Sequence, residues 1–389
     1  MNNKEIVLNS INLKSVDKIP TTYRGLENIT KSLFKHFGLR EIDDFEKNHL
    51  SFLENLGADF WASGSNISYY GTFQPRYIGP PALKPYVEDS HYFYTLGIKV
   101  KTHTVSKFDF SYLDYGEDPP LANVQNPSEI KKGFLNSKLD NFDFKDFSNR
   151  RIYDKRKLDL DYISYKSIKT NENDFICMGN FNSIFMICCF LRGMDNFLMD
   201  LAANKKLAEH LIKEVGEFSI EFNRRALLEF GNKAEIYSMW DDVANQNGLM
   251  FSPDLLKYFL PIYEKLMNEA NKYGLKKSWH CCGSVNDVLP SMIDIGLDIF
   301  EVAQTSARNM SFDELFKLYG GKICIHGGID VQNLLVLKGK SEIEEEIIKV
   351  FKLWGNSGGI ILAPSHEIVP GTPIENILFL YECINNFQE

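Results

Sequence analysis

The sequence contains no block of five or more lysines and arginines, and its formal net charge is -9. It therefore lacks the electrostatic footprint of a nucleic-acid binder or of a protein drawn to anionic membranes. Long apolar runs are missing too. The longest, IFMICCFL at 184–191, falls far short of the roughly 20 residues that a membrane-spanning helix requires. The opening MNNKEIVLNSINLKSVDKIP has no apolar secretory core, so the expected location is the cytoplasm. There is no GxGxxG and no GxxxxGKS or GxxxxGKT, which removes the usual phosphate-cradling turns. No low-complexity linker or fixed-length tandem repeat divides the chain, and residues 1–389 are expected to form a single domain.

Other features are present in quantity. Of 389 residues, 44% are hydrophobic and 24% charged, which is ordinary globular composition with material for a large core. The 7 cysteines include two adjacent pairs, Cys188/Cys189 and Cys281/Cys282. That spacing is not a secreted disulfide framework; in a reducing compartment such thiols are core filler, metal ligands or nucleophiles. Cys188 and Cys189, inside an apolar run, read as core.

From about residue 196 onward, helical patterns alternate with short apolar runs. Ser252-Pro253 reads as a helix start, as do capping boxes at Ser311/Glu314 and Ser341/Glu344 and the Thr372-Pro373-x-Glu375 signal. Gly274, Gly296, Gly320 and Gly355 sit at helix stops. Between them lie EIYSMW (235–240), KKSWH (276–280), LDIFEVA (297–303), KICIH (322–326) and GIILA (359–363). Runs of this length, separated by single helices, predict parallel strands buried on both faces. The fold class expected is α/β, a (β/α)8 TIM barrel. Upstream, the pattern predicts helices near 27–37 and 44–56, strands at 58–63 and 174–180, and an aromatic, Pro-containing region over 69–165. Residues 1–165 are expected to supply an N-terminal extension and a lid of hairpins and loops over the carboxyl rim, with 69–115 as the apolar part of that lid.

Polar residues collect at the carboxyl ends of the expected strands: Asp241 and Asp242, then His280 and Cys282, Glu301 and Gln304, Gly327, Gly328 and Asp330, and finally Ser365, His366 and Glu367. In a βα barrel those ends converge on one rim, where such folds place their chemistry. His280 and Cys282, one residue apart at a strand tip, are able to offer a nitrogen and a thiolate to one ion. His366 is the best third ligand, and Glu301 or Gln304 is suited to the open position. The bland alternative is a core or substrate-contacting histidine beside an inert thiol. Asp241-Asp242 reads equally as a helix-capping pair or as a substrate and proton-transfer pair. Cys281 should point the other way, into the core. His36, His49, His91, His103, His210 and His326 have no partner pattern.

LRGMDNFLMDLAANKKLAEHL, WDDVANQNGLMFSPDLLKYFLPIY, WHCCGSVNDVLPSMIDIGLDIFEVAQ, YGGKICIHGGIDVQNLL and GGIILAPSHEIVPGTPIENI together resemble, in order from about residue 190, the uroporphyrinogen decarboxylase-like superfamily. The resemblance implies a βα barrel. Its porphyrinogen decarboxylases are cofactor-free and grip substrate carboxylates with an Arg-rich segment; the corresponding TTYRGLE (21–27) here has only Arg24, which disfavours porphyrin decarboxylation. Its corrinoid-dependent methyltransferases, of the coenzyme M and O-demethylase type, bind zinc through His-x-Cys and a distant Cys. His280 and Cys282 match the first two ligands, and His366 stands where the coenzyme M type has cysteine.

The resemblance thus implies Zn2+ on His280, Cys282 and His366, and a corrinoid carried by a partner protein. Asp241, Asp242 and Glu301 are the expected catalytic acids, with Gln246, Gln304 and Asp330 on the substrate. Bound zinc would favour a thiol substrate's thiolate or polarise a methyl ether. The implied activity is methyl transfer between such a small substrate and the corrinoid; a homodimer is compatible with it. The alternatives are a cofactor-free decarboxylase of another carboxylated substrate and a non-catalytic corrinoid- or tetrapyrrole-binding subunit.

Overall fold

The computed structural model describes residues 2–39, 45–62, 72–79, 95–99, 101–105, 110–114, 118–150, 162–164 and 175–388. Its frame is a mixed α/β arrangement of mainly parallel strands: β1 (Thr22–Tyr23), β2 (Phe60–Trp61), β3 (Thr72–Tyr77), β4 (Cys177–Met178), β5 (Ile236–Trp240), β6 (Lys276–His280), β7 (Ile299–Ala303), β8 (Cys324–Ile329) and β9 (Ile360–Pro364). From β9 back to β3 neighbours pair in parallel, in the order β9-β8-β7-β6-β5-β4-β3. β1 pairs with β2 in parallel and reaches β9 through a bridge between Thr21 and Leu362. The first and last strands of the frame therefore lie side by side.

The five strands expected between 235 and 363 form within a few residues of their expected bounds. Each is buried along nearly its whole length, as strands covered on both faces must be. Side chains alternate, so Trp279 joins the outer core under the helices while neighbouring positions face inward. A separate apolar cluster gathers Phe60, Phe175, Cys177, Ile236, Ile299, Cys324 and Ile361 from six of these strand segments. Val7 and Ile11 of the helix Asn3–Ile11 complete it, beside the first residues of β5, β7 and β8. That helix underlies the amino ends of the strands and leaves the carboxyl tips clear. Ser10 fastens it by donating its hydroxyl to Ile360 O at 2.6 Å.

Helices fill the intervals. The long one, Lys205–Phe230, turns Leu207, Leu211, Val215, Phe218 and Phe222 inward at three- and four-residue steps, each fully or almost fully buried. A stripe of that spacing is one helix face, and each such side chain contributes about 1.5–3 kcal/mol by burial. Cys188 and Cys189 lie in the core, as expected.

Three local readings are corrected. Ser311 and Glu314 do form a capping box, but Lys340–Leu353 begins after Gly339, whose N–H donates to Glu342; Ser341 lies inside the helix. Glycine serves at an N-cap nearly as well as threonine. Thr372 likewise does not cap: the last helix follows Pro373, and the Thr372 hydroxyl donates to Val369 O. Finally, β3, within the expected lid, belongs to the main sheet. On its other edge β3 runs antiparallel to Phe142–Arg150, and a separate hairpin joins Lys101–Val105 to Phe110–Asp114. Much of the expected 69–115 lid lies outside the described residues. Among the described residues, no helix is long and apolar enough to cross a membrane.

Candidate metal centre

At the carboxyl tips the register brings distant residues level. His280 ends β6, paired with Trp240 of β5 on one side and Glu301 of β7 on the other. Glu301 in turn pairs with His326 of β8. His366 follows β9, where Ile368 N donates to Arg24 O at 3.0 Å and Leu26 N donates to Ile368 O at 3.1 Å. The segment after β1 is thereby stitched to the segment carrying His366.

The ligand atoms of His280, Cys282 and His366 all lie within 4.8 Å of one another, forming a group able to hold a metal ion. Cys282 Sγ is 3.5 Å from His280 Nε2. In a tetrahedral zinc site, with Zn–N and Zn–S bonds of roughly 2.0 and 2.3 Å, nitrogen and sulfur would be about 3.5 Å apart. The donor types, and the spacing of the His280–Cys282 pair, thus fit a tetrahedral ion. His280 is buried, and Cys282 and His366 are half-buried.

Behind His280 the other ring nitrogen is occupied: Nδ1 pairs with Glu301 Oε2 at 2.5 Å, and Arg24 Nη1 donates to Glu301 Oε1 at 2.7 Å. Nε2 is left facing Cys282. Burial alone would lower the basicity of His280, but the Glu301 carboxylate and the Cys282 sulfur hold it well above the ordinary value. Burial likewise works against the charge of Glu301, yet His280 and Arg24 bring it down to about 2. His366 moves to about 3, through burial first and then the positive charges of Arg24 and His280. Its lone pair is free of a proton at neutral pH.

The other expected residues take distinct places. Asp242 Oδ1 accepts from Cys282 N at 2.8 Å and lies 3.9 Å from His280 Nε2, with the side chain one-third exposed. It is beside the metal group. Asp241, adjacent in sequence, points the opposite way and is completely buried. It accepts from Ser183 Oγ, Phe185 N, Met186 N and Tyr263 OH, capping the helix Ile184–Arg192 from outside. Gln304 Oε1 accepts from Gly283 N at 2.6 Å, bracing the loop just after Cys282. Gln246 is exposed on the turn between Ala244–Asn245 and Gly248–Leu249. Asp330 accepts from Gln332 N, Asn333 N and Asn333 Nδ2, capping the turn after β8. Cys281 is buried in the core.

Gly283 shows why WHCCGS carries a glycine. Its φ is +90°, and a Cβ there would lie 2.4 Å from Asn245 O. Gly283→Ala is expected to cost about 1–3 kcal/mol in backbone strain and to displace the Cys282 loop. Thermal denaturation should show a lower midpoint, and titration with a divalent metal a weaker site. Sequence patterns carried no signal for Arg24 as a partner of Glu301, nor for the pairing of His326 Nε2 with Thr22 Oγ1 at 2.9 Å. Both depend on which strands become neighbours.

A mainly parallel α/β frame with a His/Cys group at its carboxyl tips defines an enzyme-like scaffold with a candidate metal centre. The uroporphyrinogen decarboxylase (URO-D) family model matches residues 136–387, and the chain belongs to that family. It is 26% identical over 195 residues to methylcobamide:CoM methyltransferase MtaA of Methanosarcina barkeri, covering 48% of this chain and 54% of that one. It is also 33% identical over 75 residues to a uroporphyrinogen decarboxylase of Rickettsia bellii, covering 19% of this chain and 21% of the relative. The chain thus spans about half or less of the length of these curated relatives. A solved methyltransferase from Methanosarcina mazei shares the fold across 100% of both chains, with a TM-score of 0.62 at 17% identity.

Proposed function

We propose that this protein is a zinc-dependent methyltransferase that moves a methyl group between a small thiol or methyl ether and a corrinoid carried by a partner protein. The scaffold is read as a barrel of the (β/α)8 type closed through β1 and β2, with the parts of the first 165 residues outside β1, β2 and β3 contributing an extension and lid. The observation that carries the reading is the convergence of His280, Cys282 and His366 within 4.8 Å. A similarity to a methylcobamide:CoM methyltransferase over 48% of the chain supports it.

His280, Cys282 and His366 would hold the ion and leave a fourth position for substrate. Zinc, when bound, would act as a Lewis acid that favours a thiolate at neutral pH or polarises an ether oxygen. Glu301, paired with His280 Nδ1, fixes the ring with Nε2 toward Cys282, where a bound cation would take the place of the Nε2 proton. Asp242, beside the group and partly exposed, would take a proton from a thiol or return one to a departing alkoxide. Gln304 steadies the Cys282 loop, while Gln246 and Asp330 belong to the outer, substrate side. Asp241 holds the helix Ile184–Arg192 against the site wall. A decarboxylase reading is less well supported, because a cationic grip on carboxylates is wanted and Arg24 donates to Glu301 instead.

The test supplies zinc-loaded protein with methylcobalamin and a panel of small thiols, and with reduced cobalamin and methoxyaromatics, following the corrinoid absorbance. Catalysed methyl loss or gain in one arm is expected. Carbon dioxide release from a carboxylated tetrapyrrole by metal-free protein, with no change in either corrinoid arm, would overturn the proposal.

A further inference from the structure

We infer that Arg24 is a positioning residue of the metal centre, acting through Glu301 to fix the orientation of His280. The inference rests on the metal reading above. The contacts form a single line: Arg24 Nη1 to Glu301 Oε1 at 2.7 Å, then Glu301 Oε2 to His280 Nδ1 at 2.5 Å, with His280 Nε2 turned to Cys282 Sγ at 3.5 Å. Each carboxylate oxygen has one strong partner.

Burial makes the arrangement consequential. Arg24 is 5% exposed and Glu301 2%, so water is not available to replace either contact. A carboxylate held at one oxygen only is free to swing about its terminal torsion, which is broad for glutamate. Held at both, it presents a fixed acceptor to Nδ1 and thereby fixes the imidazole plane. His326, level with Glu301 on β8, has its Nε2 engaged by Thr22 Oγ1. Arg24 Nε has no hydrogen-bond partner among the described residues, which leaves Glu301 as the side-chain anchor of the guanidinium.

The backbone ties the same arginine to the third ligand. Ile368 N donates to Arg24 O, and Leu26 N donates to Ile368 O, two residues beyond His366. One N-terminal segment therefore sets the position of His280 through side chains and of His366 through main chain. A residue 256 positions before His280 in the sequence governs whether both imidazoles meet one ion.

The test measures zinc affinity by competition with a chromophoric chelator in the full chain. R24M is expected to weaken zinc binding by about 10–100-fold, the usual effect of removing an outer partner of a ligand. In an E301Q background the same change should cost less than about threefold, because its route to the metal is already broken. R24K, which keeps a cationic donor, should recover most of the affinity. R24M leaves a buried carboxylate short of its counter-charge, which endangers folding. R24M/E301Q removes both charges and supplies the same comparison with E301Q. Equal losses in both backgrounds, or unchanged affinity in R24M, would contradict the inference. A wild-type chain that binds no zinc would instead sink the metal reading itself.

Discussion

Alanine at Cys282 or at His280 is expected to give a folded protein that no longer retains stoichiometric zinc and no longer transfers methyl groups. Structural zinc sites bind with roughly 10–16 kcal/mol over four ligands, so each ligand carries about 3 kcal/mol, or more than a hundredfold in affinity. The fold should tolerate the loss of Cys282, which is only half-buried and whose sulfur contacts His280. His280→Ala removes one of the two partners of Glu301 but leaves Arg24 in place, so its carboxylate keeps a counter-charge. His366→Cys is the informative third variant. A thiolate is a competent zinc ligand, and this variant should keep the metal where His366→Ala loses it. Inductively coupled plasma analysis after gel filtration checks all four. Zinc retained at one per chain in both Cys282→Ala and His280→Ala would refute the assignment.

Asp241→Ala should produce the largest loss of stability of any single change near the site. The carboxylate accepts four hydrogen bonds from Ser183 Oγ, Phe185 N, Met186 N and Tyr263 OH, in a place with no exposure. Its removal orphans buried donors at about 1–3 kcal/mol each, and a drop of roughly 3–5 kcal/mol is expected, as for other broken buried charge networks.

Its pH dependence runs opposite to ordinary acid denaturation. Burial raises the Asp241 carboxyl from 3.8 to about 6, against the pull of its donors. A folded value above the unfolded one means that this group's stabilisation is complete below about pH 4. It is lost as pH rises through about 6. The span corresponds to about 3 kcal/mol. Asp241→Asn keeps an acceptor oxygen but cannot titrate. The advantage of wild type over Asp241→Asn should therefore grow as pH falls from 7 to 4, in urea denaturation at each pH. An advantage that stays flat or shrinks toward acid would show that the burial cost is not what dominates there.

The legibility of this chain followed burial. β5 to β9 could be read because strands covered on both faces are continuous apolar runs, and because the helices between them carry glycine stops and the Ser311 capping box. His280, Cys282 and His366 could be nominated for the same reason: each sits just beyond or at the end of such a run. β1 and β2, two residues apiece, are too short to show any period. β3 carries Pro75 beside a register shift, and proline argues against an interior strand.

Contacts across the fold were the least legible. Asp241 and Asp242 are adjacent and chemically identical, yet one caps a distant helix and the other lies by the metal group. Strand alternation predicts that they diverge, though not which goes inward without the register. The sequence suggests Glu301 for the open metal position or for proton transfer; its carboxylate lies against Nδ1 of His280, on the far side of the ring from Cys282. The Arg24–Glu301 ion pair joins the residue just after β1 to β7. Nothing local in TTYRGLE encodes that partner.

Zinc K-edge X-ray absorption on the zinc-loaded chain bears most directly on the central claim. The account predicts one sulfur at about 2.3 Å and two imidazole nitrogens at about 2.0–2.1 Å, with the sulfur shell gone in Cys282→Ser. A first shell of oxygen and nitrogen without sulfur, or a spectrum indifferent to Cys282, would contradict it.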